Sequence, residues 1–409
     1  MAREKVLALV LAGGQGGRME VLTQERAKPA LPYAGVYRLI DFALSNLAHS
    51  GIDNVWVVVQ YETHSINDVL ANGRPWDLDR THGGLMILPP QQGAGAKDTG
   101  FAEGNADAIF RNRRLLREFD PDLLLVLSAD HIYKLDYNDV IATHRAKDAT
   151  CTLVTTHVPI AEAFNFGVVT VNRENRVTGF DYKPEAPTSD IALAEVFVYD
   201  AAVLLETLET LHERLDPDGE GGSTGLEDFG DQLLPELVRA GKVYAHELEG
   251  YWKDVGRPES YFQSHMDLLA EHPGLALDDQ RWPVLTLEPQ RMPARIHETA
   301  AITNSLISPG CDIRGEVARS VLAPGVVVEE GATVQDSIVF HDTVVEASAS
   351  VQFAIVDALV RIGARARVGG EPRNELPTTE ELTLIGQGAT IEGGSTVKRG
   401  ARVEPEATA

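Results

Sequence analysis

Two hydrophobic rhythms divide this chain. Up to about residue 255, short apolar runs alternate with longer stretches of helical spacing, the order in which α/β folds lay down buried strands and the helices that cover them. The run Val6–Ala12 is apolar at every position, so both of its faces are predicted to be buried. Further strands are expected at residues 55–59, 123–127, 151–158 and 195–199. Helices are expected at residues 39–50, ending before Gly51 as at a C-cap, and at residues 106–119, ending before Pro121. The stretch from Asp216 to Gly225 is polar and glycine-rich and reads as a loop. A bridge from about Gly256 to Pro293 carries one amphipathic helix near residues 259–271.

After Pro293 the period changes. Ile385, Ile391, Val397 and Val403 recur every sixth residue, as do Val328 and Val334, Val345 and Val351, and Ile362 and Val368. A six-residue repeat fits neither a helix nor an alternating strand. It fits a β-solenoid with three short strands per coil, each apolar residue turned to the axis. A polar interruption from Glu371 to Glu381 reads as a loop leaving the solenoid. This half is expected to be a stacking or oligomer platform. A solenoid acyltransferase would need a catalytic histidine, and only His297 and His341 lie in the half.

Composition narrows the function. The 409 residues carry a formal charge of −25, which argues against nucleic acid as the main partner, because phosphate contacts need a net basic face. No run approaches the ~20 apolar residues of a membrane helix, and the N-terminus lacks the cleavage pattern of a signal peptide. Two cysteines far apart in sequence, Cys151 and Cys311, argue against a disulfide framework and suit a reducing cytoplasm. No Cys/His spacing suggests zinc. At this length two domains are expected.

The sharpest local feature follows the first strand: Leu11-Ala12-Gly13-Gly14-Gln15-Gly16-Gly17-Arg18. Glycines let the backbone turn with positive φ and bring N–H groups against a phosphate. The dinucleotide fingerprint fails because Met19 stands where its third glycine belongs, and the P-loop fails because Gly17 is followed by Arg18 and Met19. Arg18, Arg26, Lys28 and Arg38 cluster nearby. Residues 1 to 40 hold six basic side chains against three acidic, a net +3 in an otherwise acidic chain.

These residues carry a resemblance. Leu11–Met19, Arg26-Ala27-Lys28-Pro29-Ala30, Tyr37–Phe42, Ser45-Asn46, Gln60-Tyr61, Pro90-Gln91-Gln92 and Gly104–Ala108 stand in one order. Asp130–Lys134, Phe166-Gly167-Val168, Asp228-Phe229-Gly230 and Tyr251–Gly256 follow in it. In that order they resemble the bacterial glucose-1-phosphate adenylyltransferases over nearly the whole chain. The resemblance implies a Rossmann-like, mixed-sheet nucleotidyltransferase domain over residues 1–258. A helical linker over 259–292 and a left-handed parallel β-helix of hexapeptide repeats over 293–409 follow. It implies transfer of AMP from ATP to glucose 1-phosphate, with Mg²⁺ as cofactor, in a cytoplasmic homotetramer that serves glycogen or α-glucan synthesis.

It also assigns roles. Ala12, Gly13, Gly14 and Gly16 would cradle the nucleotide phosphates, with Gln60, Gln91, Gln92 and Gly104 toward the base. Arg18 would hold the β- and γ-phosphates and Lys28 the α-phosphate. Asp130 and Asp254 would ligate the metal, and Gly167, Lys183 and Glu195 would hold the sugar phosphate. An aspartate after an apolar strand independently faces the ligand crevice of such sheets, and a glutamine amide can pair with an adenine edge.

Three departures from the family pattern stand out. Tyr182 replaces the usual glutamate before the sugar-phosphate lysine. Leu193, Ala194 and Glu195 stand where the family commonly has Ser-Met-Gly. Glu25 stands where enteric members have a lysine that helps bind a bisphosphate activator, so no activation by fructose 1,6-bisphosphate is expected. The alternatives are a nucleotidylyltransferase for another sugar 1-phosphate, such as glucosamine 1-phosphate, and a regulatory relative without turnover.

Overall fold

The computed structural model describes residues 4–14, 16–90, 100–216, 224–288, 290–371 and 377–409. The strand Val6–Ala12 lies at the centre of the main sheet, flanked in parallel by Asn54–Val59 on one side and Leu123–Ser128 on the other. Its alternation explains the uniform apolar run. Leu7, Leu9 and Leu11 enter one hydrophobic core, while Ala8, Val10 and Ala12 enter another on the opposite face. Gly84–Leu88, a strand the sequence pattern misses, extends the sheet in parallel beyond Asn54–Val59.

The sheet is mixed. Ile191–Asp200 runs antiparallel to Leu123–Ser128 and carries Cys151–His157 antiparallel on its other edge, with Val243–Glu247 parallel to the latter. The antiparallel pair Gly167–Val171 and Val177–Tyr182 completes it. The strand expected at 195–199 is thus the second half of a ten-residue strand, interrupted near Glu195. The helix expected at 106–119 is two, Asn105–Arg111 and Arg113–Phe119, broken at Asn112, whose side chain donates to the Ala108 carbonyl. The glycine-rich stretch from 217 to 223 lies outside the described residues.

The bridge holds the helix Pro258–Asp267 and then, among the described residues, runs without further helix or strand to Arg295. It is pinned along the helix Leu39–His49: Trp282 Nε1 donates to Asn46 Oδ1 (2.8 Å), and the Leu285 N–H donates to Ser45 Oγ (2.8 Å). The Ser45-Asn46 motif is therefore a clasp for the linker.

From Arg295 onward the chain winds into three six-stranded parallel sheets, one per face of a solenoid. All ten residues of the hexad pattern are buried; Ile385 and Ile391 have no exposed surface and Val397 and Val403 only 7%. The polar interruption falls between the strands Arg367–Gly369 and Thr383–Ile385, and the ladder resumes in register, with Ile355 opposite Leu384. Of that interruption, 372–376 lie outside the described residues.

The solenoid does not stand apart. Ile338, Phe340, Ile355, Ala358 and Leu384 share one core with Met19, Leu22, Tyr33 and Phe42. Beside this core Arg26 Nη2 donates to Asp357 Oδ1 at 2.7 Å, with both side chains at least nine-tenths buried. Burial pushes the Asp357 carboxyl up, and Arg26 only partly offsets it. Arg26 therefore faces the solenoid and not a ligand. Arg38, also expected near the phosphate loop, donates to the Val36 and Tyr37 carbonyls.

Breaking the pair strands a buried cation. Asp357→Ala is expected to cost about 3–5 kcal/mol, read as a lower urea midpoint, while the double variant Arg26→Leu/Asp357→Leu recovers most of it. A single variant as stable as the wild type would show that water already reaches Arg26.

Candidate active site

The parallel strands Val6–Ala12 and Leu123–Ser128 end side by side, and the segments that leave their carboxyl ends form the floor of one cleft. It is lined by Ala12, Gly13, Gly14, Arg18, Lys28, Asn105, Asp130, His131, Phe166, Gly167, Lys183, Glu195, Asp228 and Asp254 among others. Open α/β sheets bind ligands at this position.

The glycine loop turns where its sequence allows it. Gly16 has φ of +66°, and its carbonyl accepts from the Met19 N–H and from Thr23 Oγ1, both at 2.8 Å. Gly14 and Gly17 have open space where a Cβ would stand, and Gly13 lies so close to Gln60 that a Cβ would come within 2.8 Å of its Nε2. Gln60 is held by the Ala102 N–H, which donates to its Oε1 at 3.0 Å. Gln15, Gln91 and Gln92 lie outside the described residues.

Below the loop sits a charge cluster. Lys28, on a single 3₁₀ turn, is buried, and its Nζ lies 2.5 Å from Asp130 Oδ2 and 3.9 Å from Asp254 Oδ1. The two aspartates meet because the strand Trp252–Asp254 pairs antiparallel with His131–Tyr133, which puts Asp254 opposite His131. His131 is the residue the sequence reading left without a role. Its Nδ1 lies 3.2 Å from the Ala194 carbonyl, so it donates there. Its Nε2 faces Asp254 (3.6 Å), Asp130 (3.8 Å) and Glu195 (4.0 Å). The signal available was the Asp-His pair directly after an apolar strand.

Mutual pairing keeps these groups charged. Burial opposes the Lys28 ammonium, but Asp130 and Asp254 outweigh it and raise its pKa. Burial likewise opposes ionisation of Asp130, yet Lys28, then His131, hold it well below the usual carboxylate range, and Ser128 Oγ donates to its Oδ1. Burial lowers and Glu195, Asp254 and Asp130 raise the pKa of His131, with a net rise. Arg18 makes no ion pair among the described residues and is free to meet an anion.

At the far end Lys183 has φ of +48° and donates to the Tyr182 hydroxyl at 2.9 Å. Tyr182 donates in turn to Asp228 Oδ2 at 3.0 Å, and Asp228 Oδ1 accepts from the Asn105 N–H at 3.2 Å. This chain of contacts ties Lys183 to the Gly104 end of the cleft; Asn105, Tyr182 and Asp228 were not predicted as site residues. Gly167 is buried, and a Cβ there would meet Leu193 and Phe180 at 3.1 Å. Glu195 has φ of +53°, a conformation that costs an ordinary residue about 1 kcal/mol or more. Loss of water around its carboxyl raises its pKa although His131 pulls the other way, while the side chain keeps an exposed edge toward the cleft. Of the predicted site residues, Ala12, Gly13, Gly14, Arg18, Lys28, Asp130, Gly167, Lys183, Glu195 and Asp254 line this one cleft, whereas Gly16, Gln60 and Gly104 lie outside its lining, Gln60 against Gly13.

Two oxygen-donor carboxylates, Asp130 and Asp254, converge on shared partners here. Hard oxygen donors in this number suit a Mg²⁺ ion that completes its shell with phosphate oxygens and water. Among the described residues no cluster of three or more acidic, histidine or cysteine side chains offers an all-protein metal cage.

Comparison with known proteins follows the same division. Residues 7–271 match the model of the nucleotidyl transferase family, and residues 290–391 match a GlmU-like C-terminal hexapeptide model. The chain is 40% identical to a glucose-1-phosphate adenylyltransferase of Bacillus cytotoxicus over 81% of its own length and 86% of the relative's. It is 40% identical to one of Clostridium novyi (82% and 85%) and 41% identical to one of Thermosipho melanesiensis (81% and 78%).

Two glycines of the cleft should respond differently to a methyl group. At Gly104, whose backbone is extended, a Cβ would stand 2.2 Å from the Glu227 carbonyl carbon, a collision no rotamer relieves, whereas at Gly14 nothing lies within 4 Å. Gly104→Ala is expected to lose on the order of 1–3 kcal/mol, seen as a lower melting temperature, and Gly14→Ala to melt with the wild type. Equal melting of all three proteins would mean that the segment around Glu227 yields freely.

Proposed function

This chain belongs to the nucleotidyl transferase family, among the glucose-1-phosphate adenylyltransferases, and on that premise we propose that it makes ADP-glucose and pyrophosphate from ATP and glucose 1-phosphate, for glycogen or α-glucan synthesis. The observation that carries the reading is the buried Lys28 between Asp130 and Asp254 beneath a glycine loop, in a chain 40% identical to named adenylyltransferases over most of its length. Since the relatives share that name, another sugar or a non-catalytic role is not favoured.

In the proposed reaction an oxygen of the sugar phosphate attacks the α-phosphorus of ATP in line. The bond from that phosphorus to the bridging oxygen breaks, and pyrophosphate leaves with the electron pair. The attacking phosphate is already anionic, so the protein need not supply a strong base. Its task is to bring two anions together and to stabilise the charge that moves to the leaving group.

The backbone from Ala12 to Gly16 cradles the triphosphate in this reading, with Gln60, Gly104 and the predicted pair Gln91 and Gln92 toward adenine. Arg18 meets the β- and γ-phosphates as they depart. Lys28 trades its contact with Asp130 for the α-phosphate, and that exchange leaves Asp130 and Asp254 to hold a divalent cation, which we take to be Mg²⁺. The cation, when bound, neutralises charge on the pyrophosphate. Gly167, Lys183 and Glu195 form the sugar-phosphate end, where Lys183 has no carboxylate partner among the described residues and so awaits a phosphate.

We further propose the division into residues 1–258, 259–292 and 293–409, a homotetrameric assembly through the solenoid, and a cytoplasmic location. No helix among the described residues is long and apolar enough to cross a membrane, and Cys151 and Cys311 are both buried free thiols.

Pyrophosphate release from ATP and glucose 1-phosphate tests the reaction directly. Asp130→Asn is expected to lower turnover by about three orders of magnitude or more while circular dichroism stays that of the wild type, and chelation of divalent cations to abolish turnover until Mg²⁺ is restored. Turnover that survives both treatments would remove Asp130 and the metal from the chemistry.

A further inference from the structure

The acidic side chains of the cleft are not equivalent. Asp130 is taken by Lys28 and Ser128, Asp228 by the Tyr182 hydroxyl and the Asn105 N–H, and Asp254 lies in ion-pair reach of Lys28 and His131. Neither Glu195 nor Asp254 makes a side-chain hydrogen bond among the described residues, but Asp254 lies within ion-pair reach of Lys28, whereas the one ion-pair partner in reach of Glu195 is His131 Nε2, at 4.0 Å. Its side chain keeps 47% of its surface exposed, and that surface faces the cleft.

The backbone is bent to put it there. Along the strand Ile191–Asp200, Leu193 pairs with Thr155 and the next pair is Phe197 with Leu153, so four residues on one strand answer two on the other. Pairing with the neighbouring strand begins at Val196, opposite Leu127, one residue short of the turn that leads to Asp130. Glu195 occupies this bulge with left-handed φ. Bulges next to active sites re-aim side chains, and strain kept at a functional site points to a use.

The use follows from what a carboxylate with no hydrogen-bond partner can accept. It repels the phosphates of both substrates. The adenine end lies at Gln60 and Gly104. The cleft that Glu195 lines also carries Leu193, Phe166, Phe180 and Tyr182. Apolar side chains beside a carboxylate that no hydrogen bond occupies suit a ring of carbons that carries hydroxyl donors. We propose that Glu195 is the specificity-determining residue of the sugar site, accepting hydrogen bonds from hydroxyl groups of the hexose ring. This rests on the adenylyltransferase reading above. Tyr182 is not available for the task, since its hydroxyl is spent on Asp228 and Lys183.

The test pairs each hydroxyl with the side chain. Glucose 1-phosphate is compared with a set of monodeoxyglucose 1-phosphates, each lacking one hydroxyl, in the wild type, Glu195→Gln and Glu195→Gly. The glycine variant suits the left-handed backbone and should fold at least as well as the wild type. The wild type is expected to disfavour at least one deoxy analogue by about 100-fold or more in kcat/KM. In Glu195→Gly that ratio collapses toward one, with a raised sugar KM and an unchanged KM for ATP. The same ratio in variant and wild type would overturn the assignment. So would intact discrimination with a shift in the Mg²⁺ concentration for half-maximal turnover, which would assign Glu195 to the cation. If the wild type releases pyrophosphate with no sugar 1-phosphate, the adenylyltransferase reading falls. Calorimetric binding of the same sugars then still decides on Glu195 by the same comparison of ratios.

Discussion

A lysine ammonium buried between two carboxylates is the contact on which the rest of this site depends. Without Lys28, Asp130 and Asp254 would repel one another in a cleft of low dielectric; without them, Lys28 would lose its charge to burial. His131 completes the balance from below, reaching three carboxylates with one ring nitrogen. The cluster is thus assembled in a closed, self-neutralised state. Anionic substrates and a cation can enter by exchanging partners, so that neither Lys28 nor Asp130 need be bare at any stage.

The elements that build this cluster come from distant parts of the chain. Lys28 follows the glycine loop, Asp130 ends a central strand, and Asp254 arrives on a short strand whose only pairing is with His131–Tyr133. Just beyond Asp254 the chain enters the helix Pro258–Asp267, whose Tyr261 and Phe262 belong to the core shared with the solenoid. The position of one carboxylate is therefore fixed from both directions along the chain.

Much of this was legible in the sequence, for physical reasons that differ by element. The uniform apolar run of Val6–Ala12 and the hexads after Pro293 report burial directly, because every apolar residue in them faces a core. The glycine loop and the aspartate after an apolar strand are local signals for a local geometry. Edge elements such as Gly84–Leu88 were missed because only two of its five residues are buried and no strict alternation marks it. That Arg26 and Arg38 turn away from the glycine loop was not legible, because charge proximity in sequence does not reveal which way a side chain turns. The break at Asn112 and the bulge at Glu195 depend on side-chain contacts and strand register that no period encodes. His131 was quoted within a motif but its link to Ala194 and three acids exists only once the strands are paired.

The core that joins Met19, Leu22, Tyr33 and Phe42 to the solenoid strands carries a consequence for how the molecule comes apart. The turn that follows the glycine loop, Gly17–Thr23, is anchored against the C-terminal half through Met19, Val21 and Leu22, whereas the turn that bears Lys28 packs on the catalytic half through Ala30. A break in the last coils would therefore remove the footing of the turn that carries Arg18. The two halves, so different in period, should lose their structure as one cooperative unit, with the turn that carries Arg18 taking its rigidity from the far end of the chain.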